Sequence, residues 1–264
     1  MSREGHSGAA KRLWVAALAV AVFAAVVLAA GCFNRPPTHG TELLIEADTS
    51  RLDGAKKQER VMTETLEALR KRVAGFGAKC SAQREETNRI LIKVGVSTDP
   101  ELGALKRWIE RTGLLEFRLV HPESDALVKE NPNEPGYEVL KLKRTLHDGR
   151  EILESVLVKK PPEMTGGIKR AMVVRGNLGE PEIAFTLNSQ GAKRFAEITR
   201  DNMNRRLAIV LDGELCTAPV IRAPIENGAG QISGQFNPKE ALELANLLEH
   251  PLEVPIKVLE SRPF

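Results

Sequence analysis

The chain has little of three things on which many functional sites depend. Aromatic residues make up only 4% of its 264 residues, with one Tyr and two Trp. Bases and sugars are commonly held on aromatic faces, so a stacking platform is disfavoured. Cysteine occurs three times, too few for a disulfide scaffold or a thiolate zinc cage. Net charge is nearly absent: 38 Lys and Arg against 35 Asp and Glu give +3, which is no electrostatic footprint for nucleic acid. Signatures of catalysis are missing too. His6, His39, His121, His147 and His250 form no HExxH or HxH, and there is no GxSxG elbow or Walker loop. Gly228-Ala229-Gly230 follows no strand-to-helix turn and reads as a β-turn. Nothing assembles an acid, a base and an oxyanion donor, so no enzymatic reaction, cofactor or metal is expected.

What is present is unevenly spread. Leu13 to Ala30 is an uncharged run of 18 residues, eight of them Ala, preceded by Arg3, Lys11 and Arg12 against one acid, Glu4. A basic start followed by an apolar run is an export signal or membrane anchor, with the N-terminus cytoplasmic and the remainder exported. Without residues 1–31 the balance is 35 basic against 34 acidic, so the weak basicity belongs to the leader. Leu28-Ala29-Ala30-Gly31-Cys32 resembles a bacterial lipobox, with Cys32 as the lipidated residue; Ala29 stands where Leu is commoner. The other reading is an uncleaved single-pass helix with an incidental Cys32. Residues 32–40, with Pro36-Pro37, read as a tether. Either way the body of the chain is attached to the membrane on its periplasmic, extracytoplasmic side. Cys80 and Cys216 could then form a bridge, but two separate thiols are the better reading, since neither has a CxxC neighbour.

The exported part reads as α+β. A strand at 42–47 precedes a helix from about Gln58, with Met62, Leu66, Leu69 and Val73 on one face. Arg70, Lys71 and Arg72 fall in its last turns, where cations suit the helix dipole. A hairpin over 79–86 and 89–96 follows, then a helix with Asp99 as N-cap and Pro100 in its first turn, then a strand at 115–119. This is the βαββαβ, ferredoxin-like order. The strands carry Ile, Val and Leu, unlike RNA-binding sheets that stack bases on aromatics. Residues 121–180 look loop-rich, with β-like pieces at 137–146 and 152–158 and a turn at Asp148-Gly149. A second α+β unit follows. It has a strand at 183–187, a helix capped by Asn188 or Ser189, and an all-apolar central strand at 207–211. Asp212-Gly213 forms a tight turn, in which Asp212 reads as a turn former. Pro219 marks an edge or bulge, 231–233 is a short strand, and Asn237 to Glu240 has capping-box spacing. A strand at 252–259 ends the chain. The expected architecture is two ferredoxin-like subdomains, 41–123 and 124–264, after the 1–31 anchor. A hinge is expected at 121–124 and 159–167, where connections cross.

The stretch from Phe185 through Asn188-Ser189-Gln190-Gly191 to Thr199 resembles the SecD/SecDF protein-export family, in its first periplasmic domain. Leu207 to Glu214, Ala218-Pro219-Val220-Ile221, Gln231-Ile232-Ser233-Gly234 and Phe236 continue the head-subdomain pattern. Thr65 to Val73 and Leu115 to Val120 resemble the base subdomain. The resemblance marks Asp212, Gly213, Ala218, Pro219, Ile232, Ser233 and Gly234 as motif positions with a structural or partner-binding role. It implies unfolded or translocating polypeptide and Sec translocase components as partners, and a base and head that swing relative to one another. Cys216 departs from the small polar residue expected there, and Gly40-Thr41 is all that remains of a glycine-rich segment. The sequence ends at Glu260 to Phe264, about where the family's proton-coupled membrane bundle begins, so the expectation is the periplasmic module and not the motor. The alternative is an envelope lipoprotein that uses the same fold for ligand sensing or envelope assembly.

Overall fold

The computed structural model describes residues 36–145, 150–176, 179–234 and 236–264. The 1–31 leader, Cys32 and the Asp148-Gly149 turn lie outside the described residues. No helix among the described residues is long and apolar enough to cross a membrane.

The first unit starts with strand β1 (Thr41–Ala47), whose Leu43, Ile45 and Ala47 alternate inward and are buried. Helix α1 (Ala55–Gly75) covers that face with Val61, Met62, Leu69 and Val73. It begins three residues before the expected Gln58, from Gly54 at φ 86°. Strands β2 (Cys80–Arg84) and β3 (Arg89–Val94) form the expected hairpin. Helix α2 (Asp99–Glu110) buries Leu105, Trp108 and Ile109; its N-cap is Thr98 rather than Asp99. The last strand of the chain, β13 (Ile256–Pro263), then returns to pair with β1. The sheet order is β13-β1-β3-β2, antiparallel throughout. This is the ferredoxin-like order, but its fourth strand is β13 and not 115–119. Thr41 and Pro263 pair at one end, where Gly40 and Phe264 also exchange backbone bonds of 3.3 and 3.2 Å.

The second unit is therefore inserted between α2 and β13. Strand β4 (Leu115–Leu119), expected to close the first sheet, lies in a six-stranded sheet instead. This sheet also holds β5 (Tyr137–Thr145), β6 (Glu151–Lys159), β7 (Met164–Thr165), β10 (Leu207–Leu211) and β11 (Glu214–Thr217), in the order β6-β5-β11-β10-β4-β7. All five residues of β10 are buried, because both of its faces are covered. Leu207, Ile209 and Leu211 join the main core, while Ala208 and Val210 join a smaller cluster with Val120, Leu142, Val156 and Val158. The sheet curls back on itself, so that the residues just after β4 meet β6: Val120 bridges Val158, and the His121 N–H donates to Leu157 O at 2.9 Å. A short helix, α3 (Ser124–Glu130), fills part of the stretch expected to be loop.

A three-stranded sheet completes the unit, with β9 (Pro181–Leu187) between β8 (Ile168–Arg175) and β12 (Ala229–Ile232). Helix α4 (Ser189–Asp201) starts at Asn188, whose side chain accepts from the Gly191 N–H at 2.8 Å. Helix α5 (Pro238–Glu249) has the full capping box: Asn237 accepts from Glu240 N, and Glu240 accepts from Asn237 N. Phe117 joins the layers, with its ring 6.0 Å from Phe185 on β9 and 5.0 Å from Phe195 on α4. Truncating so buried a ring to Ala typically costs about 3–5 kcal/mol.

The chain passes between the units at 111–114 and again at 250–255. The expected hinge segments, 121–124 and 159–167, lie next to β4, β6 and β7 within the second unit. The periodicity of β4 marks a strand but carries no information on which sheet receives it.

Candidate functional site

The motif residues separate into two groups. Asp212, Gly213, Ala218 and Pro219 lie on and after the β10–β11 hairpin. Asp212 (φ 50°) and Gly213 (φ 83°) form its two-residue turn, both left-handed as a type I′ turn demands. The Asp212 carboxylate does more than form the turn. It accepts from the Thr112 hydroxyl, from Leu114 N at 2.9 Å and from Arg111 Nε at 3.1 Å. Asp212 N in turn donates to Leu114 O at 3.0 Å, so the hairpin tip clamps the first crossing segment. Ala218 packs on the smaller core cluster, and Pro219 O accepts from Leu207 N at 2.9 Å. This accounts for the break in the strand: β11 stops at Thr217 and pairing resumes only as the Arg206–Val220 bridge.

Ile232, Ser233 and Gly234 lie at the end of β12, away from the hairpin. Ile232 is buried in the core and Ser233 is exposed. At Gly234 a Cβ would stand 2.4 Å from the Phe236 ring, and at Gly230 a Cβ would stand 2.4 Å from the Phe185 ring. Each glycine is thus a seat for an aromatic ring. On the three-stranded sheet lies an open groove of about 390 Å³, lined by Arg170, Met172, Ala184, Thr186, Ala229 and Gln231. Met172 is 44% exposed, and Arg170 is the groove's one charged lining residue.

The two edges of this sheet differ. On β8 the outward N–H of Ala171 is taken by the Glu249 carboxylate at 2.9 Å, which blocks that edge. On β12, Leu187 N donates to Gly228 O at 2.8 Å, which fixes the alternation of the ladder. Ala229 and Gln231 therefore occupy non-hydrogen-bonded positions against Thr186 and Ala184, with N–H and C=O turned away from β9. Asn227 Oδ1 takes the Ala229 N–H at 3.1 Å. The Gln231 N–H and C=O and the Ala229 C=O face an edge that no strand pairs among the described residues.

Arg72 was not singled out as a site residue in the sequence, where it reads as a dipole-matched cation at the end of a helix. The structure buries it completely. Its Nε donates to His250 O at 2.8 Å, Nη1 to Ile109 O at 3.2 Å and to Arg111 O, and Nη2 to Thr112 O at 2.9 Å. Burial lowers its pKa to about 10, against the opposing pull of Asp212, so it remains charged at neutral pH. Its position three residues after Leu69, on the inward face of α1, was the available signal.

Cys80 and Cys216 are both free thiols. Burial pushes the Cys216 thiol up to about 11, with Glu214 and Asp212 adding to the rise and Arg111 opposing it. Among the described residues no three His, Cys, Asp or Glu side chains group as metal ligands.

A split ferredoxin-like unit carrying an inserted α+β unit defines a two-part α+β module. The SecDF P1 head subdomain family matches residues 139–251. SecD of Sebaldella termitidis is 36% identical over 226 residues, covering 84% of this chain and 47% of that protein. SecDF of Thermus thermophilus is 35% identical over 232 residues, covering 84% of this chain and 30% of that protein. Among solved structures, SecDF in a super-membrane-facing form superposes with a TM-score of 0.64 at 30% identity, over 85% of this chain. A structure described as a membrane component SecDF that enhances protein export gives 0.62 at 30% identity, covering 84% of this chain and 99% of that one. The chain belongs to the SecD/SecDF family. It spans about half or less of the length of the protein translocase subunits it matches.

Proposed function

We propose that this chain is a membrane-attached, extracytoplasmic SecD-type module that binds polypeptide in extended form and assists Sec-dependent export without catalysing a reaction. One observation carries the reading: the open edge of β12 beside the apolar groove. Any unfolded chain has backbone N–H and C=O groups to match the Gln231 and Ala229 groups on that edge. The groove beside it receives alternate side chains with little regard to sequence, as a module handling many export substrates requires. The base comprises β1, α1, β2, β3, α2 and β13, and the head is the unit between α2 and β13. Sec translocase components are the proposed docking partners of the assembled system.

The test exploits a backbone atom that β9 does not use. Gln231→Pro removes the outward N–H and leaves the ladder to β9 intact. Binding of a fluorescent, permanently unfolded polypeptide should weaken at least about tenfold in Gln231→Pro and change little in Gln231→Ala. Equal binding by all three proteins would refute edge pairing, and no binding by any of them would refute the function. Attachment through Cys32 is tested separately: palmitate labelling should disappear in Cys32→Ser, and unlabelled wild type that retains Met1 would establish a plain anchor.

A further inference from the structure

We propose that Arg72 is the pin that sets the orientation of the head on the base. The units are joined covalently by 111–114 and 250–255 alone, given the order of elements along the chain. One guanidinium binds both segments: the Ile109 carbonyl in the last turn of α2 and the Arg111 and Thr112 carbonyls on the first crossing, and the His250 carbonyl on the second. The segments also touch each other, through Leu252 N donating to Thr112 O at 2.8 Å. These acceptors lie at the C-terminal ends of α2 and α5, where carbonyls have no partner within the helix and the dipole is negative. Arg72 thus caps a helix of the base and a helix of the head at once. A planar fork of five N–H groups reaches several carbonyls in fixed directions, which an ammonium on a flexible stem does not.

The surroundings leave the pin little freedom. Gly113 has φ +74°, and a Cβ there would stand 2.8 Å from Leu247 O and 3.2 Å from the Arg72 Nη2. Gly75 of α1 lies so close to α5 that a Cβ would stand 2.4 Å from Asn246 Nδ2. On the head side, Asp212 holds Arg111 and Thr112, the residues whose carbonyls Arg72 binds. One apolar core runs through both units and is built from other residues, so freeing the carbonyls removes the directional tie at the joint and leaves both units folded.

The test uses the full chain, with spin labels on non-canonical residues at the exposed positions Lys57 of the base and Lys193 of the head, leaving the native cysteines in place. Wild type should give one narrow distance distribution by pulsed electron resonance. Arg72→Met should at least double its width, and Arg72→Lys should fall between. Gly113→Ala, which displaces the guanidinium without removing it, should also broaden it. Hydrogen exchange at β3 and β10 reports whether each unit remains folded. Should Arg72→Met not fold, Arg72→Lys and Gly113→Ala carry the test. Unchanged widths in folded variants would overturn the proposal, as would loss of β3 or β10 protection in Arg72→Lys, which would make Arg72 a core-forming residue of one unit.

Discussion

Replacing Asp212 separates two contributions that the structure combines at one residue. Its backbone is left-handed at φ 50°, and its carboxylate clamps Thr112, Leu114 and Arg111. Asp212→Asn keeps a side chain that tolerates this backbone and an oxygen for Thr112 and Leu114, but loses the charge opposite Arg111. Arg111 is 31% exposed, so screening reduces that ion pair; with the weaker hydrogen bonds, the loss is about 1 kcal/mol. Asp212→Gly relaxes the backbone but loses every side-chain bond, for about 2 kcal/mol. Asp212→Ala loses the bonds and places a Cβ in the left-handed region with no compensating bond, for about 3 kcal/mol. The expected order is wild type, Asn, Gly, Ala, measured as urea midpoints at constant m-value. Ala equal to Gly would show that the turn stores no conformational cost. Gly equal to wild type would show that the clamp contributes nothing.

Two further predictions follow from titrating groups. With its thiol near pKa 11, Cys216 should be about 0.1% thiolate at pH 8, against roughly a quarter for an ordinary thiol. Peptide mapping after iodoacetamide treatment should therefore show it reacting at least about 100-fold more slowly in the native protein than in urea, and comparable rates would contradict its burial. Glu42 on β1 is held below its ordinary carboxylate range first by its bond to Arg262 on β13 and also by Lys93 on β3, against the opposing effect of burial. Its contribution is present above the unfolded value of about 4.5 and is lost as pH falls through the lower folded value. Arg262→Gln should flatten the acid limb of the melting curve, and an unchanged limb would exclude this pair as a contributor.

Local features were legible in the sequence wherever periodicity and turn chemistry act alone. The β10 run has no polar residue to turn outward, and it is buried on both faces. Asn237 to Glu240 forms the capping box its spacing suggests, and Asp212-Gly213 is the tight turn. What could not be read was long-range partnership. Leu115–Leu119 alternates as any half-buried strand does, and nothing in it distinguishes the first sheet from the second. Strand β8 was missed because Lys169, Arg170 and Arg175 make it polar, although Ala171 packs inward. Of the candidate site, the motif positions were named, but the open edge was not. Which N–H groups of β12 face outward depends on its register with β9, and that is a property of the pair.

The return of β13 to β1 has a consequence for the order of folding. On the ribosome Thr41 is made before the head and Pro263 after it, and the two are sheet partners. The base therefore has a very high contact order: its sheet cannot close until the entire head has been synthesised. The head has no such debt, because its strands and helices lie within one continuous stretch. A compact head brings its own ends together at 111–114 and 250–255, so the loop that β13 must close is far shorter than the sequence between its partners. Until then β1 presents a bare edge, with Leu43 and Ile45 awaiting their final cover. Slow or faulty head folding should thus appear first as aggregation through the base, with the damage remote from the lesion that caused it.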